Sequence, residues 1–227
     1  MKFTVFTPTF NRGHTITRVY ESLLAQTLRD FEWLIIDDGS TDCTCNLIAH
    51  FQKCVGKAFP IRYHGLQPNR GKHIAHNRAL KEAQGEFFLV ADADDWITPN
   101  ALERMDLHWS WLGQSHDRSA YCGVAGLCAD RAGQIIGDKY PEAATHSTLR
   151  ERKYIHKVRG EHWGMMRTDI VKRYPFPDHI DGFVPEGLVW LDIAKTYKDY
   201  CVNEVWRIYA RDGKDRLSDE GIPRRRP

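Results

Sequence analysis

A mostly parallel central β-sheet flanked by helices, an α/β fold, is what the sequence predicts for these 227 residues. Three observations carry the expectation. Apolar runs alternate with segments of helical apolar spacing from residue 3 to residue 91. The runs are near-continuous, as in strands buried on both faces. Three of them end in polar clusters, and open parallel sheets bind ligands beyond the carboxyl ends of their strands.

Phe3-Thr4-Val5-Phe6-Thr7 is β-branched and aromatic and halts at Pro8. Over 15–26, Ile16, Val19, Tyr20, Leu23 and Leu24 form the stripe of a helix lying on a sheet. Residues 31–36 make a second strand, which runs into Asp37-Asp38-Gly39-Ser40. A second helix opens at Thr41-Asp42, with Leu47, Ile48 and Phe51 as its stripe, and 61–64 reads as a short strand. A third helix is predicted over 71–84, then a strand over 87–91 ending in Asp92-Ala93-Asp94-Asp95. Beyond Pro99 the spacing predicts a helix over 100–112 and a strand over 121–127. A polar loop over 138–159 follows, with short helical turns allowed in it, and loops of that length are usually functional or mobile. A strand over 163–166, helices over 169–174 and 187–198, and a strand over 202–209 complete the pattern. No Gly-, Ser- or Pro-rich linker divides the chain. One domain is expected over 1–220, with halves at 1–105 and 106–220 and a basic tail at 221–227.

Composition excludes several classes. A content of 42% hydrophobic and 27% charged residues is that of a globular chain, not a disordered one. Lys+Arg 32 against Asp+Glu 30 leaves +2, which argues against a nucleic-acid partner. No apolar run approaches the roughly 20 residues of a membrane span, and the N-terminus lacks a signal-peptide core, so a cytoplasmic location is expected. Arg224, Arg225 and Arg226 offer at most weak peripheral contact with the inner membrane surface. Cys43, Cys45, Cys54, Cys122, Cys128 and Cys201 match no common zinc spacing and are expected as buried or half-buried free thiols.

The polar clusters carry the chemistry. If the strands are parallel and adjacent, Pro8-Thr9-Phe10-Asn11-Arg12, Asp37-Asp38-Gly39-Ser40 and Asp92-Ala93-Asp94-Asp95 share one rim. Turn formation accounts for the second cluster about as well as a ligand site does. The third packs three carboxylates into four residues. They repel one another and call for a positive partner, and magnesium or manganese would take one or two of them plus phosphate oxygens. A solvated acidic turn capping the helix from Asn100 is the alternative. Neither a P-loop nor a Gly-x-Gly-x-x-Gly fingerprint occurs. Asn69-Arg70-Gly71-Lys72, before a predicted helix, offers cations and amide donors suited to a diphosphate. His73 and His76 have metal-like spacing but no third ligand at a diagnostic distance.

In order, these clusters, with Ser22-Leu23-Leu24-Ala25-Gln26-Thr27, His76-Asn77 and Ala83-Gln84-Gly85-Glu86, resemble family 2 glycosyltransferases. The likeness is dense over 3–105 and looser afterwards, at Tyr174-Pro175-Phe176-Pro177, Phe183-Val184-Pro185-Glu186, Arg207-Ile208-Tyr209 and Leu217-Ser218. It implies a GT-A fold, a nucleoside-diphosphate sugar donor, Mn²⁺ or Mg²⁺, and inversion at the sugar. It places Phe10 near the base in a pocket shaped by Pro8, Thr9 and Asn11, with Asp38, or alternatively Asp37, accepting from the base. The family's Asp-x-Asp motif falls on Asp92 and Asp94. Asp92 would meet the ribose or the metal shell and Asp94 would ligate the metal, with Ala93 in the same pocket and Asp95 as the alternative ligand. Lys72, ahead of Arg211, is expected on the diphosphate.

Glu186 is the expected base, with Asp181 and Asp192 in reserve. The sequence has Pro185-Glu186-Gly187 where the family commonly has Glu-Asp, and a helix N-terminal acid is the plainer reading. Trp190 reads as packing sooner than as a sugar platform, and His162 and Trp163 are candidates for the acceptor site. A saccharide or lipid-linked acceptor is what the resemblance implies. Three rivals stand beside it: a sugar-nucleotide pyrophosphorylase, which should carry a Gly-rich loop after the first strand; a receiver-like binding module, whose acids fall in a different order; and a catalytically degenerate transferase.

Overall fold

Strand β1 (Phe3–Thr9) lies at the centre of the first half because every neighbour it needs is apolar and parallel. It pairs with β2 (Phe31–Asp37) on one side and β4 (Phe87–Val90) on the other, and β3 (Ile61–Gly65) extends β2 outward. All of these pairs are parallel, joined through α1 (Thr17–Leu24), α2 (Thr44–Cys54) and α3 (Lys72–Glu82). The computed structural model describes residues 1–180, 182 and 184–210.

The second half joins the same sheet in mixed sense. β8 (His162–Arg167) runs antiparallel to β4 and to β6 (Tyr121–Ala129), and β9 (Lys198–Ile208) runs parallel to β6. The order is β3-β2-β1-β4-β8-β6-β9-β5, where β5 is Trp96–Ile97, and β7 (Ala144–Ser147) also pairs with β9. Successive strands are added on one side of β1 as far as β3 and then on its other side at β4, so the crevice at the carboxyl ends of β1 and β4 is a topological switch point.

Alternation of side chains divides the core between two faces. Phe3, Val5, Trp33, Ile35 and Leu89 meet α1, α2 and α4 (Ala101–Ser115). Phe6, Leu34, Ile36 and Phe88 meet α3, α5 (Thr168–Val171) and α6 (Gly187–Ile193). Burying each such side chain contributes about 1.5–3 kcal/mol, enough to hold both layers. Trp33 is fully buried, and its indole N–H donates to Thr7 Oγ1 at 2.9 Å, so no polar atom is lost to the core.

Several expectations shift. The polar stretch over 138–159 holds a short helical turn of the kind expected there, π-helical over Glu151–Ile155, and also an unexpected strand, β7. The helix expected over 187–198 ends at Ile193, and β9 starts at Lys198 instead of Val202. Cys122, Cys128 and Cys201 are buried, but Cys43, Cys45 and Cys54 are exposed, since α2 turns its stripe of Ile48 and Phe51 inward and leaves the thiols outside. No helix among the described residues is long and apolar enough to cross a membrane. The basic tail at 221–227 lies outside the described residues.

Candidate active site

Parallel pairing brings the ends of β1, β2 and β4 to one rim, as the sequence suggests. Asn11, in the left-handed region at φ 52°, staples the first two loops together. Its N–H donates to Ser40 Oγ at 2.8 Å, and its side-chain oxygen accepts from the Thr41 N–H at 2.8 Å. The Asp38 N–H donates to the Thr9 carbonyl at 2.8 Å. Thr9 is buried, with its hydroxyl unpartnered, Pro8 is half-buried, and Phe10 stands 44% exposed at the lip.

The two adjacent aspartates do different work. Asp37 is fully buried and accepts from the Ser40 N–H and hydroxyl at 2.9 and 2.6 Å and from the Tyr63 hydroxyl at 2.9 Å. Burial, then Asp37 itself, pushes the Tyr63 phenol above its usual range. Asp38 reaches the other way, accepting from the Arg70 N–H at 2.9 Å and the Gly71 N–H at 2.6 Å. Gly71 sits at φ 99°, where a side chain would be strained, and its turn opens α3 at Lys72. Asp38 thus fixes the position of Lys72 at the rim. Asp38→Ala frees both amides and, on the resemblance given above, should weaken nucleotide binding more than divalent-cation binding in parallel titrations; equal losses would remove Asp38 from the base pocket that the resemblance implies.

The acidic turn separates its three carboxylates by partner. Asp95 is buried, takes both Arg207 Nε (2.6 Å) and Arg207 Nη2, and accepts the Ala210 N–H at 2.9 Å. Burial pushes it up to about 7 even though Arg207 pulls the other way. Asp92 accepts from Lys72 Nζ at 2.7 Å and Arg207 Nη2 at 3.2 Å. Against the cost of its burial, those two cations hold it at about 2. Asp94 is half-buried, and only its backbone carbonyl is engaged, by Arg18 at 3.0 Å; its carboxylate has no hydrogen-bond or ion-pair partner among the described residues. Ala93 is buried between them.

No group of three or more His, Cys, Asp or Glu side chains among the described residues could hold a metal unaided. The single unpartnered carboxylate of Asp94 fits a cation that draws its other ligands from diphosphate and water. Asp95, saturated by Arg207 and Ala210, fits that role poorly.

Lys72 connects the acidic turn to the second half of the chain. Its ammonium lies 2.7 Å from Asp92 and 2.8 Å from Glu186, which immediately precedes α6. Burial works against the charge, but the two carboxylates raise the Lys72 pKa overall. Glu186 and Asp92 both line a cavity of about 340 Å³ with Arg207, His162, Trp163 and Trp190. Glu186 and Lys72 also line a second cavity of about 800 Å³ with Asn69, Arg70, His76 and Phe176. The carboxylate of Glu186 therefore stands at the boundary of both cavities, where the rim of the first half meets the second half of the chain.

The remaining candidates separate clearly. Asp192 pairs with Lys195 at 2.5 Å, lies mostly exposed and lines neither cavity. Asp181 and Arg211 lie outside the described residues, as do Phe183 and Leu217-Ser218. Trp190 packs edge-on against His76 and Phe176 while one side lines the smaller cavity. His76 is sealed among Phe6, Phe88, Phe176 and Trp190; burial, then Lys72, lowers it to about 3. Asn77 clamps the Phe176 backbone in both directions, at 2.8 and 2.9 Å, and so seats the 174–177 turn. Arg207 carries no role in the sequence reading beyond the likeness at Arg207-Ile208-Tyr209. The signal for it was there: buried acids demand a nearby cation.

The chain matches the sequence profile described as Glycosyl transferase family 2 over residues 4–174. It belongs to that family. Among family 2 relatives, the GalNAc(5)-diNAcBac-PP-undecaprenol beta-1,3-glucosyltransferase of Campylobacter jejuni is 24% identical, over 92% of this chain and 64% of its own length. The putative glycosyltransferase EpsH of Bacillus subtilis is 30% identical over 74% of this chain and 48% of its own. The family 2 chain described here thus spans less than two thirds of these relatives. Among solved structures, Staphylococcus aureus TarS 1-349 in complex with UDP-GlcNAc superposes with TM-score 0.74 and 24% identity, covering 96% of this chain and 61% of that one. The mannosyltransferase PcManGT of Pyrobaculum calidifontis, in complex with GDP-Man and Mn²⁺, gives 0.64 and 20%, covering 93% and 58%. These likenesses show the GT-A fold.

Proposed function

We propose that this family 2 protein is a metal-dependent, inverting glycosyltransferase. It moves a sugar from a nucleoside-diphosphate donor to an acceptor hydroxyl, at the cytoplasmic side of polysaccharide or glycolipid assembly. The observation that carries the reading is the Asp92–Lys72–Glu186 bridge, which joins the strand rim of the first half to a carboxylate of the second. Residues 1–105 supply the donor side and 106–220 the acceptor side.

Phe10, with Pro8, Thr9 and Asn11, forms the lip against which the base lies, and Asp37 and Asp38 hold that lip and the Lys72 loop in place. Asp94, with Asp92 beside it, would hold Mn²⁺ or Mg²⁺, which when bound neutralises the leaving diphosphate. Lys72 and Arg207 add positive charge at the same place. Glu186 removes the acceptor hydroxyl proton as that oxygen bonds to the anomeric carbon and the bond to the diphosphate breaks, with the electron pair leaving on the diphosphate. Lys72, 2.8 Å away, holds the Glu186 carboxylate in position at the mouth of both cavities. The likeness to the Campylobacter GalNAc(5)-diNAcBac-PP-undecaprenol beta-1,3-glucosyltransferase favours a saccharide or lipid-linked acceptor here.

Calorimetric titration of UDP, GDP and dTDP, each with Mn²⁺ and with EDTA, tests the reading. One nucleotide should bind in the presence of the metal and be lost on chelation; no binding to any of the three would overturn it. Asp94→Ala should abolish the Mn²⁺-dependent part of that affinity while the melting temperature stays unchanged. Unchanged nucleotide affinity with Mn²⁺ would remove Asp94 as the ligand.

A further inference from the structure

The π-helical turn Glu151–Ile155 presents Tyr154 and Ile155, which at 63% and 68% exposed are the most exposed large apolar side chains among the described residues. Arg150, Lys153, His156, Lys157 and Arg159 flank them in the chain, all exposed. The acids nearby are engaged elsewhere: Asp138 accepts from the Arg159 backbone N–H at 2.9 Å. Glu151 is engaged by the Thr148 N–H at 2.7 Å, and Asp199 is taken by the buried Arg152 at 2.7 Å. Arg150, Lys153, Lys157 and Arg159 have no carboxylate partner among the described residues.

The protrusion is rooted, so its outward face is presented instead of loose. Arg152, on the same turn, donates to the Ser147 carbonyl at 3.0 Å and to Cys201 Sγ at 3.1 Å, tying the turn to β7 and β9. An apolar tip flanked by cations that no carboxylate among the described residues pairs with, one of them, Lys153, 5.6 Å above the Tyr154 ring, matches a negatively charged surface with an apolar interior beneath it. Interfacial segments of that design insert aromatic and aliphatic side chains while basic ones meet headgroups. A protein partner would need an acidic rim shaped around an apolar pocket, whereas an anionic bilayer offers both everywhere.

We propose that the 150–159 protrusion docks this protein on an anionic membrane surface, with Tyr154 and Ile155 entering the interface and Arg150, Lys153, Lys157 and Arg159 meeting lipid phosphates. The root of the protrusion is also the wall of the smaller cavity: Leu149, Arg152, Gly160 and His162 line it together with Asp92 and Glu186. Docking would therefore turn that cavity toward the bilayer. This last consequence rests on the proposed transfer reaction; the docking itself does not.

Sedimentation of the full chain with vesicles tests it. The protein should pellet with phosphatidylcholine vesicles containing about one third phosphatidylglycerol, and stay in solution with phosphatidylcholine alone, since each basic residue near an anionic surface strengthens binding about fivefold. Lys153→Glu with Lys157→Glu should weaken the association by at least about thirtyfold, the equivalent of losing two such contacts. Tyr154→Ser with Ile155→Ser should weaken it too, and neither pair should move the melting temperature. A chain with Arg224, Arg225 and Arg226 changed to Ser should still pellet. Protrusion variants that pellet like the wild type, a tail variant that alone loses binding, or a wild type that ignores anionic vesicles would each overturn the proposal, the last leaving the patch to a protein partner.

Discussion

Glu186→Gln should leave donor-nucleotide affinity within about twofold while the single-turnover transfer rate falls by roughly 10²–10⁴, the usual contribution of a positioned base. The amide keeps the size and the cavity position of the carboxylate and loses only its capacity to take a proton. The substitution also frees one of the two carboxylate contacts of Lys72, at 2.8 Å, and leaves the other, to Asp92, at 2.7 Å. Lys72→Met therefore serves as the companion. It should reduce donor affinity as well as rate, because it strips a cation from the diphosphate side, and the two variants would differ in titration even if their rates matched. A Glu186→Gln enzyme that transfers at close to the wild-type rate would move the base to Asp181 or Asp192. Asp192, held by Lys195 outside both cavities, would then have to leave its present position.

Arg207→Met is the second large effect, and it acts on stability first. The buried guanidinium is shared by Asp92 and Asp95, and breaking a buried pair by removing one partner costs about 3–5 kcal/mol. Urea unfolding should show a loss of that order; a loss below about 1 kcal/mol would mean that the acids relax into solvent. Arg207→Lys should recover little, since a compact ammonium on a shorter reach cannot reproduce the planar fork by which Nε and Nη2 meet Asp95 and Asp92. The pH dependence has a definite sign. Asp95 stands near 7 in the folded chain, above its unfolded value, so its proton stabilises the fold most at low pH and that stabilisation is lost as pH rises toward 7. Without Arg207 its pKa climbs further, so the variant keeps losing stability above pH 7 where the wild type levels off. The gap between the two should widen between pH 7 and pH 9.

Much of this was readable from residues alone, for a physical reason that also marks where reading stops. β1, β2 and β4 are apolar on both faces, so their positions follow from composition, and the parallel pairing of adjacent buried strands then places Asn11, Asp38 and Asp92 on one rim. β5, at two residues, and β7, at Ala144–Ser147, are too short to show a period; both exist because β9 offers them a backbone edge. The ends of α6 and β9 moved for the same reason: tertiary pairing, not local spacing, sets where they begin and stop. Within the site, the sequence singled out the acids correctly as a cluster in need of compensation and looked for it in a metal. Arg207, 112 residues after Asp95, supplies part of that compensation, and no local pattern reports a partner so distant. The separate duties of Asp37 and Asp38 were equally hidden, since they depend on Tyr63 and on the amides of Arg70 and Gly71.

That distance sets an order of events during synthesis. The acidic turn leaves the ribosome well before β9, and at about 5–20 residues per second its counter-charge follows on the order of ten seconds later. Through that interval the parallel half can collapse on its apolar strands, but Asp95 cannot enter the interior as an anion without its guanidinium. The rim therefore stays open and hydrated until the final strand arrives, and closing the sheet with β9 is the same act as completing the site. A nascent chain interrupted before Lys198 would hold a folded-looking scaffold that is unable to settle its own acids.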